Sequence, residues 1–255
     1  MSGSQTERVA REAEIWDGQT LQRDGYEAAL AHANGGPARE RRNDFVRAVA
    51  ASVTGLDALE IGSHSWEATL YRFGSRPNRL VCINLSQTEL DQGEELAKSF
   101  NYPIEFRLMD AHKLDFPDAS FDFVFGVAIL HHLDFRVAMG EIARVLKPGG
   151  RLLFVEPLIL NPVARLVRFL TPKARTPDEK PLGREELAIM AEYFTAEHLY
   201  TELFHVPAAV ISRFFFSDPE NRLTFAADWL DMKLLQLFPG LGPYHRSITV
   251  YGHRK

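Results

Sequence analysis

The sequence predicts a doubly wound α/β domain: a mostly parallel, seven-stranded sheet with helices on both faces, N-terminal helices ahead of it and a helical insertion before its last strands. Three observations carry that expectation. Short apolar runs alternate with amphipathic stretches between residues 58 and 157, the rhythm of strands separated by helices. Each run is short and apolar, as strands covered on both faces must be. Glycine or a polar residue recurs where the runs end, and strand ends along one edge of a parallel sheet converge on a ligand crevice.

Taken in order, Thr6 to Gln19 sets Val9, Ala13, Ile15 and Trp16 at helical spacing, and Gly25 to Asn34 reads as a second helix. Gly35-Gly-Pro37 breaks the chain, and Ala38 to Val53 forms a third helix with Phe45, Val46, Val49 and Val53 on one face. Ala58 to Ile61 is the first strand, Trp66 to Phe73 a helix, and Arg79 to Asn84 the second strand. Ser86, with Glu89 three residues on, makes a capping box for a helix running to Phe100. Ile104 to Leu108 and Ser120 to Val127 are strands three and four, followed by a helix from Phe135 to Leu146. Lys147-Pro-Gly-Gly150 turns the chain into strand five, Arg151 to Val155.

After Glu156-Pro157 the pattern changes. A helix over Asn161 to Leu170 leads through a Pro- and charge-rich loop, Thr171 to Leu182, to a helix over Arg184 to Tyr193. Leu199 to Val206 and Ser247 to Tyr251 are the last strands. Between them Ala208 to Phe238 reads as one long helical region rich in Phe, Leu and Trp. That stripe could be core, cap an apolar substrate, form a homodimer seam or touch a membrane surface, with core packing favoured by its helical spacing.

A chain of 255 residues with 45% hydrophobic content can bury one sizeable core. Its net charge of −5 supplies no positive field for nucleic acid. No apolar run reaches the roughly 18–20 residues of a bilayer span, so stable membrane insertion is not expected. The polar first residues contain no signal-peptide core, which points to the cytoplasm. Cys82, the single cysteine, lies in the apolar run Leu80-Val-Cys-Ile83 and reads as a core thiol. The His and acidic residues show no His-x-x-x-His or similar ligand spacing, so no metal site is expected. Nucleophile-elbow and phosphate-loop motifs are absent as well, which removes hydrolase and triphosphatase readings.

Polar groups gather at the strand ends of the first half. Glu60 and Gly62 follow strand one, Asn84 ends strand two, Asp110 and Ala111 end strand three, and Gly126 to His132 close strand four. A polar group after strand two is placed to hold ribose hydroxyls, and an acid after strand three to accept from an exocyclic amine.

Through Leu59-Glu-Ile-Gly62, Val81-Cys-Ile-Asn-Leu-Ser86, Met109-Asp-Ala111, Leu114-Asp-Phe-Pro117, Ser120-Phe-Asp122, Leu130-His-His-Leu133 and Arg144-Val-Leu-Lys-Pro-Gly-Gly150, the chain resembles the class I S-adenosylmethionine-dependent methyltransferases. The later segments look like bacterial small-molecule or lipid-precursor members. The resemblance implies a Rossmann-like single domain: an N-terminal helical lid over residues 1–53 (Trp16 and Tyr26 included), a cofactor-binding core over 54–157, and substrate-side helices with the last two strands over 158–255. It implies S-adenosylmethionine held by Glu60, Gly62, His64, Asn84, Leu85, Asp110, Ala111, Gly126, Val127 and His131, with His131 or Glu156 as the base. The expected reaction is O-, N- or C-methylation of a small, fairly apolar molecule. Two departures stand out: one glycine survives where the loop ordinarily carries three, with His64 and Trp66 in place of the others, and Asn84 replaces an acid. They keep open a protein that binds the cofactor for a cyclisation or rearrangement, or a non-catalytic binding module. A nicotinamide enzyme is disfavoured because Gly-x-Gly-x-x-Gly is absent.

Overall fold

The computed structural model describes residues 3–18, 32–100, 103–174 and 176–255. Most of the helix expected over Gly25 to Asn34, Tyr26 included, lies outside the described residues. The first half runs α1 (Gly3–Asp17), α2 (Gly36–Ala50), β1 (Asp57–Ile61), α3 (Trp66–Thr69), β2 (Arg79–Asn84), α4 (Gln87–Ala97), β3 (Ile104–Leu108), β4 (Phe121–Val127) and α5 (Phe135–Val145). The second half runs β5 (Leu146–Pro157), α6 (Pro162–Leu170), α7 (Arg184–Tyr193), β6 (Phe194–Thr201), α8 (His205–Ser212), α9 (Arg222–Leu237) and β7 (Ser247–Arg254).

The sheet has the order β3-β2-β1-β4-β5-β7-β6, with β7 antiparallel to both neighbours and the remaining pairs parallel. The chain winds outward through β2 and β3, then returns to lay β4 on the other side of β1. The carboxyl ends of β1 and β4 therefore form a switch point, where open α/β sheets leave a crevice.

Alternation along each strand divides the buried residues between two cores. Leu59, Val81, Ile83, Val124, Leu152 and Phe154 face α5 and α7. Ala58, Leu80, Cys82, Phe123, Phe125 and Leu153 face α2 and the aromatic group of Trp66 and Tyr71. Trp66 is 1% exposed and meets Tyr71 and Phe100 edge-on at 5.3 Å. It closes the rear core and keeps clear of the crevice.

The second half departs from expectation in three places. Strand six lies at Phe194–Thr201 rather than Leu199–Val206, in register with β7 from Phe194↔Arg254 to Thr201↔Ser247. Glu202 at φ +75 then ends the strand. The Phe-rich region breaks into α8 and α9, and α9 is turned opposite to its apolar stripe. It buries Thr224, Ala227, Asp228 and Asp231, while Phe225, Trp229 and Leu237 are more than half exposed. The cause is hydrogen bonding: Asp231 accepts the backbone N–H groups of Leu203, Phe204 and His205 at 2.7–3.1 Å, and Asp228 pairs with Arg41 at 2.6 Å. Finally, β5 already pairs at Leu146, so the Lys147–Gly150 turn survives as a bulge with Gly149 at φ +72. Among the described residues no helix is long and apolar enough to cross a membrane.

Candidate active site

The crevice at the switch point holds a cavity of about 220 Å³ floored by the ends of β1, β2 and β3. Its first wall is the turn after β1. Gly62 adopts φ +80, and a Cβ there would lie 2.7 Å from Ile129, so both conformation and space demand glycine. Ser63, His64 and Ser65 take no positive φ. The glycines missing from this loop are thus not needed for its path. Buried Glu60 holds the turn from beneath: Oε1 accepts from Ser65 N and Oγ, each at 2.7 Å, and from His64 N at 3.3 Å. Burial raises the Glu60 carboxyl above its ordinary pKa. The same burial, next to Glu60, pushes the Cys82 thiol well up, which makes it inert as a nucleophile. His64 lines the cavity, its Nδ1 2.7 Å from the Gly62 carbonyl.

The second wall comes from β2, α4 and β3. Asn84 lines it and turns its Oδ1 back onto Ser86 N at 3.1 Å. Ser86 caps α4 by accepting from Glu89 N, but the reciprocal half of the expected capping box is not made, because Ser86 N donates to Asn84 instead. Leu85, Glu89, Met109 and Ala111 complete this side. Asp110 stands just behind it. Its Oδ1 accepts from His112 N at 2.9 Å and pairs with His112 Nδ1 at 2.6 Å, while its buried Oδ2 has no hydrogen-bond partner. Burial pushes the Asp110 carboxyl up, but the bonds to His112 outweigh it and hold the group below its ordinary range. Asp134 N donates to His112 Nε2 at 2.7 Å, which places the imidazole proton on Nδ1 and gives this histidine a positioning role.

The roof is α1. Arg8 donates to the carbonyls of His132 and Asp178 at 2.7 and 3.1 Å, and Asp17 accepts from Ser86 Oγ at 2.7 Å. Trp16 packs edge-on to His132 at 5.6 Å and donates to Glu12 at 3.1 Å. Glu12 lies 3.3 Å from His132 Nδ1. Burial depresses the His132 pKa despite that carboxylate; Glu12, raised by burial but lowered further by His132, remains ionised.

Ala128 and His132 open onto a second chamber of about 340 Å³, between the ends of β4 and β5 and the start of β7. Here buried His131 and Glu156 meet, Nδ1 to Oε2 at 2.8 Å. The other Glu156 oxygen accepts from Ile129 N and Leu130 N at 2.9 and 2.8 Å, so the carboxylate is fixed. With the proton of a neutral ring on Nδ1, the His131 Nε2 keeps its lone pair. Ala128 at φ +53 and Glu202 at φ +75 line this chamber, strained backbone of the kind that concentrates at working sites. The chamber also presents Arg42, Arg168, Arg246 and Glu179. That is a charged wall where the sequence suggested an apolar one, because the apolar stripe of residues 210–238 faces outward.

Of the cofactor residues expected from the sequence, Gly62, His64, Asn84, Leu85 and Ala111 line the first cavity. Glu60 and Asp110 stand behind its wall. Gly126 is a packing position, where a Cβ would lie 2.7 Å from the Ile61 carbonyl. Val127 and His131 line the second chamber instead, beside Glu156, the other residue expected as a base. Arg8, Glu12 and Glu89 went unsingled in the sequence. Glu89 had shown only as half of a capping box, and Arg8 and Glu12 reach His132 from more than 100 residues away. His131, His132 and Glu179 also come together, their ligand-type atoms within 4.8 Å of one another, although no spacing rule pointed to a metal.

Residues 59–154 match the profile of a methyltransferase domain. The chain is 31% identical over 111 residues to 27-O-demethylrifamycin SV methyltransferase of Amycolatopsis mediterranei, a match covering 42% of this chain and 41% of that enzyme. The chain spans less than half the length of the curated relatives it matches. Among solved structures, the geranyl diphosphate C-methyltransferase of Streptomyces coelicolor A3(2), in complex with Mg2+, geranyl diphosphate and S-adenosyl-L-homocysteine, superposes with a TM-score of 0.59 at 16% identity, covering 85% of this chain and 79% of that one. The cyclase SpnF superposes with a TM-score of 0.54 at 19% identity, covering 84% and 80%. At such identities these two likenesses are of fold.

Proposed function

Because the chain belongs to the class I S-adenosylmethionine-dependent methyltransferase family, we propose that it transfers a methyl group from S-adenosylmethionine to a small molecule held in the second chamber, in the cytosol. One observation carries the reading: a cavity over the tips of β1, β2 and β3 opens, through Ala128 and His132, onto a chamber holding a buried His131–Glu156 pair.

The residues fit the cofactor. The Gly62 turn leaves backbone bare where a side chain would collide, and Asp110 Oδ2 is buried without a partner, as an acid awaiting an amine donor would be. Asn84 has committed its acceptor oxygen to Ser86, so we assign the ribose hydroxyls to Glu89 on the first turn of α4, with the Asn84 amide beside it. Gly62 and His64 would flank the methionine part. When bound, S-adenosylmethionine supplies a sulfonium-activated methyl group. The protein's part is placement, exclusion of water and removal of one proton. α1 excludes water by lying across the cavity. Glu156 orients His131 so that Nε2 faces proton removal from the acceptor, the general-base arrangement. Arg42, whose Glu202 partner is 3.9 Å away, would meet an anionic or oxygen-rich end of the acceptor.

A second reading, in which the cofactor is held but not consumed, is favoured by Asn84 standing where a carboxylate would grip the ribose more strongly. The test covers both. Calorimetric titration with S-adenosylhomocysteine should give saturable binding that Asp110→Ala weakens. Incubation with acceptor libraries should then release S-adenosylhomocysteine with each product. A product formed without it would favour the second reading, and failure of wild-type protein to bind S-adenosylhomocysteine would defeat both.

A further inference from the structure

We propose that His131, His132 and Glu179 form a binding site for a divalent d-block cation on the wall of the second chamber, open to an oxygen of the molecule bound there. Three observations support it. The ligand-type atoms of these residues lie within 4.8 Å of one another. A tetrahedral ion with bonds of about 2.0–2.1 Å sets its ligands about 3.4 Å apart, so small side-chain rotations close the set. Both imidazoles face a carboxylate through Nδ1, Glu156 on His131 at 2.8 Å and Glu12 on His132 at 3.3 Å. That is the arrangement by which metal-binding histidines are oriented and made more basic, with Nε2 left for the ion; an ion there takes the lone pair that His131 would use as a base, so ion binding and proton removal by His131 exclude one another.

The third observation is positional. Glu179 is tied to His131 by the chain itself, because the next residue, Lys180, donates its backbone N–H to the His131 carbonyl at 2.7 Å. Arg168 now balances Glu179 at 2.6 Å, so an arriving cation would take over the role of that guanidinium. Two imidazoles and one carboxylate suit zinc, iron(II) or cobalt(II), whereas magnesium prefers an all-oxygen shell. Three protein ligands facing a chamber leave coordination positions open, as reactive rather than purely structural sites do.

The test uses the full chain, stripped with chelator and kept free of S-adenosylmethionine and acceptor, so its outcome is separate from the methyl-transfer reading. Dialysis against Co2+ or Zn2+ followed by elemental analysis should find one ion per chain, with a Co2+ visible spectrum typical of nitrogen ligation. Mg2+ should not compete. Glu156→Gln should weaken binding by about 10–100-fold, and His132→Gln and Glu179→Gln by more. Arg168→Met should tighten it. Glu179→Gln alters a loop outside the sheet, so it keeps the test decisive if His132→Gln does not fold. No retained ion in the wild type overturns the site, as does equal retention by Glu179→Gln; either result leaves His131 as a base untouched.

Discussion

Gly62→Ala is the substitution for which the structure predicts the most. Two separate penalties meet at this residue. Its φ of +80 lies in the left-handed region, which costs an L-residue about 1–2 kcal/mol. The added Cβ would also sit 2.7, 2.9 and 3.0 Å from three atoms of Ile129, and overpacking of that kind costs about 1–3 kcal/mol. Together they predict a loss of about 2–5 kcal/mol. Two other glycines separate the contributions. Gly149 has φ +72 with nothing within 4 Å of a new Cβ, so Gly149→Ala should carry the backbone penalty alone. Gly126→Ala keeps an ordinary φ but meets the Ile61 carbonyl at 2.7 Å and the Phe154 ring at 2.8 Å, so it should carry crowding alone. Denaturant unfolding with a common m-value measures all three, and each kcal/mol should lower Tm by about 2–4 °C. Because Ile129 lines the first cavity, Gly62→Ala should also weaken S-adenosylhomocysteine, whereas Gly149→Ala, at the opposite edge of the sheet, should not. If Gly62→Ala matched Gly149→Ala in both stability and affinity, Ile129 would be free to move aside and the close-packed turn would be refuted.

The remaining predictions concern the two histidine–acid pairs and the divergent loop. His64→Gly should cost about 0.4–1 kcal/mol through unfolded-state freedom and should not tighten cofactor binding, since His64 is not left-handed; tighter binding, read by calorimetry, would contradict this. Glu156→Gln should leave S-adenosylhomocysteine affinity unchanged and slow methyl transfer, by up to the 10²–10⁴-fold a positioned base supplies. An unchanged rate on any accepted substrate would remove His131 from proton transfer. For pH, burial lowers the folded-state pKa of His132 below its ordinary 6.5. Below pH 6.5 the unfolded chain therefore takes up the proton first, and the stability held above that pH is lost as pH falls through the folded value. His132→Gln should flatten part of that decline in unfolding curves between pH 7 and 5. His198 and His245, also lowered by burial, carry the same sign, whereas Glu60 and Asp231, raised by burial, carry the opposite one.

The nucleotide-side half of the fold was open to reading because one physical demand governs it. A strand buried on both faces must be apolar throughout, and β2, with Leu80 to Ile83 buried, falls on the residues expected, Arg79–Asn84; β3, an edge strand of mixed burial, also falls where expected, at Ile104–Leu108. Ser86 announced α4 by capping chemistry, and its side chain does accept the N–H of Glu89; Asn161 caps α6 in the same way, accepting from Ala164 N. The far half obeys a different demand. α9 is placed by Asp228 and Asp231, which serve as partners for Arg41 and for the backbone leading into α8. A hydrophobicity pattern credits such carboxylates to solvent and the facing Phe225 and Trp229 to the core, so it turns the helix the wrong way. Strand six failed for a related reason: as an edge strand paired only with β7, it has a mixed burial pattern, and its alternation marks no clear start.

The site was legible where backbone geometry makes it and obscure where distant side chains complete it. Gly62 and the residues after β2 and β3 follow from topology alone. The loop's missing glycines looked like damage because a motif does not say which of its glycines carries a positive φ; here the demand falls on Gly62, and Glu60 holds the following residues in ordinary conformations. Asn84 looked like a lost ribose ligand because a motif also does not see the next turn of helix, where Glu89 faces the same cavity. On the proposed function, both departures have one physical reading: the grip on the cofactor would lie with side chains of α4 and of the roof, α1, in place of motif backbone and a strand-end acid. Loss of affinity on cutting away α1, with the sheet still folded, would separate that relocation from simple decay of the site, because a decayed pocket has nothing left there to lose.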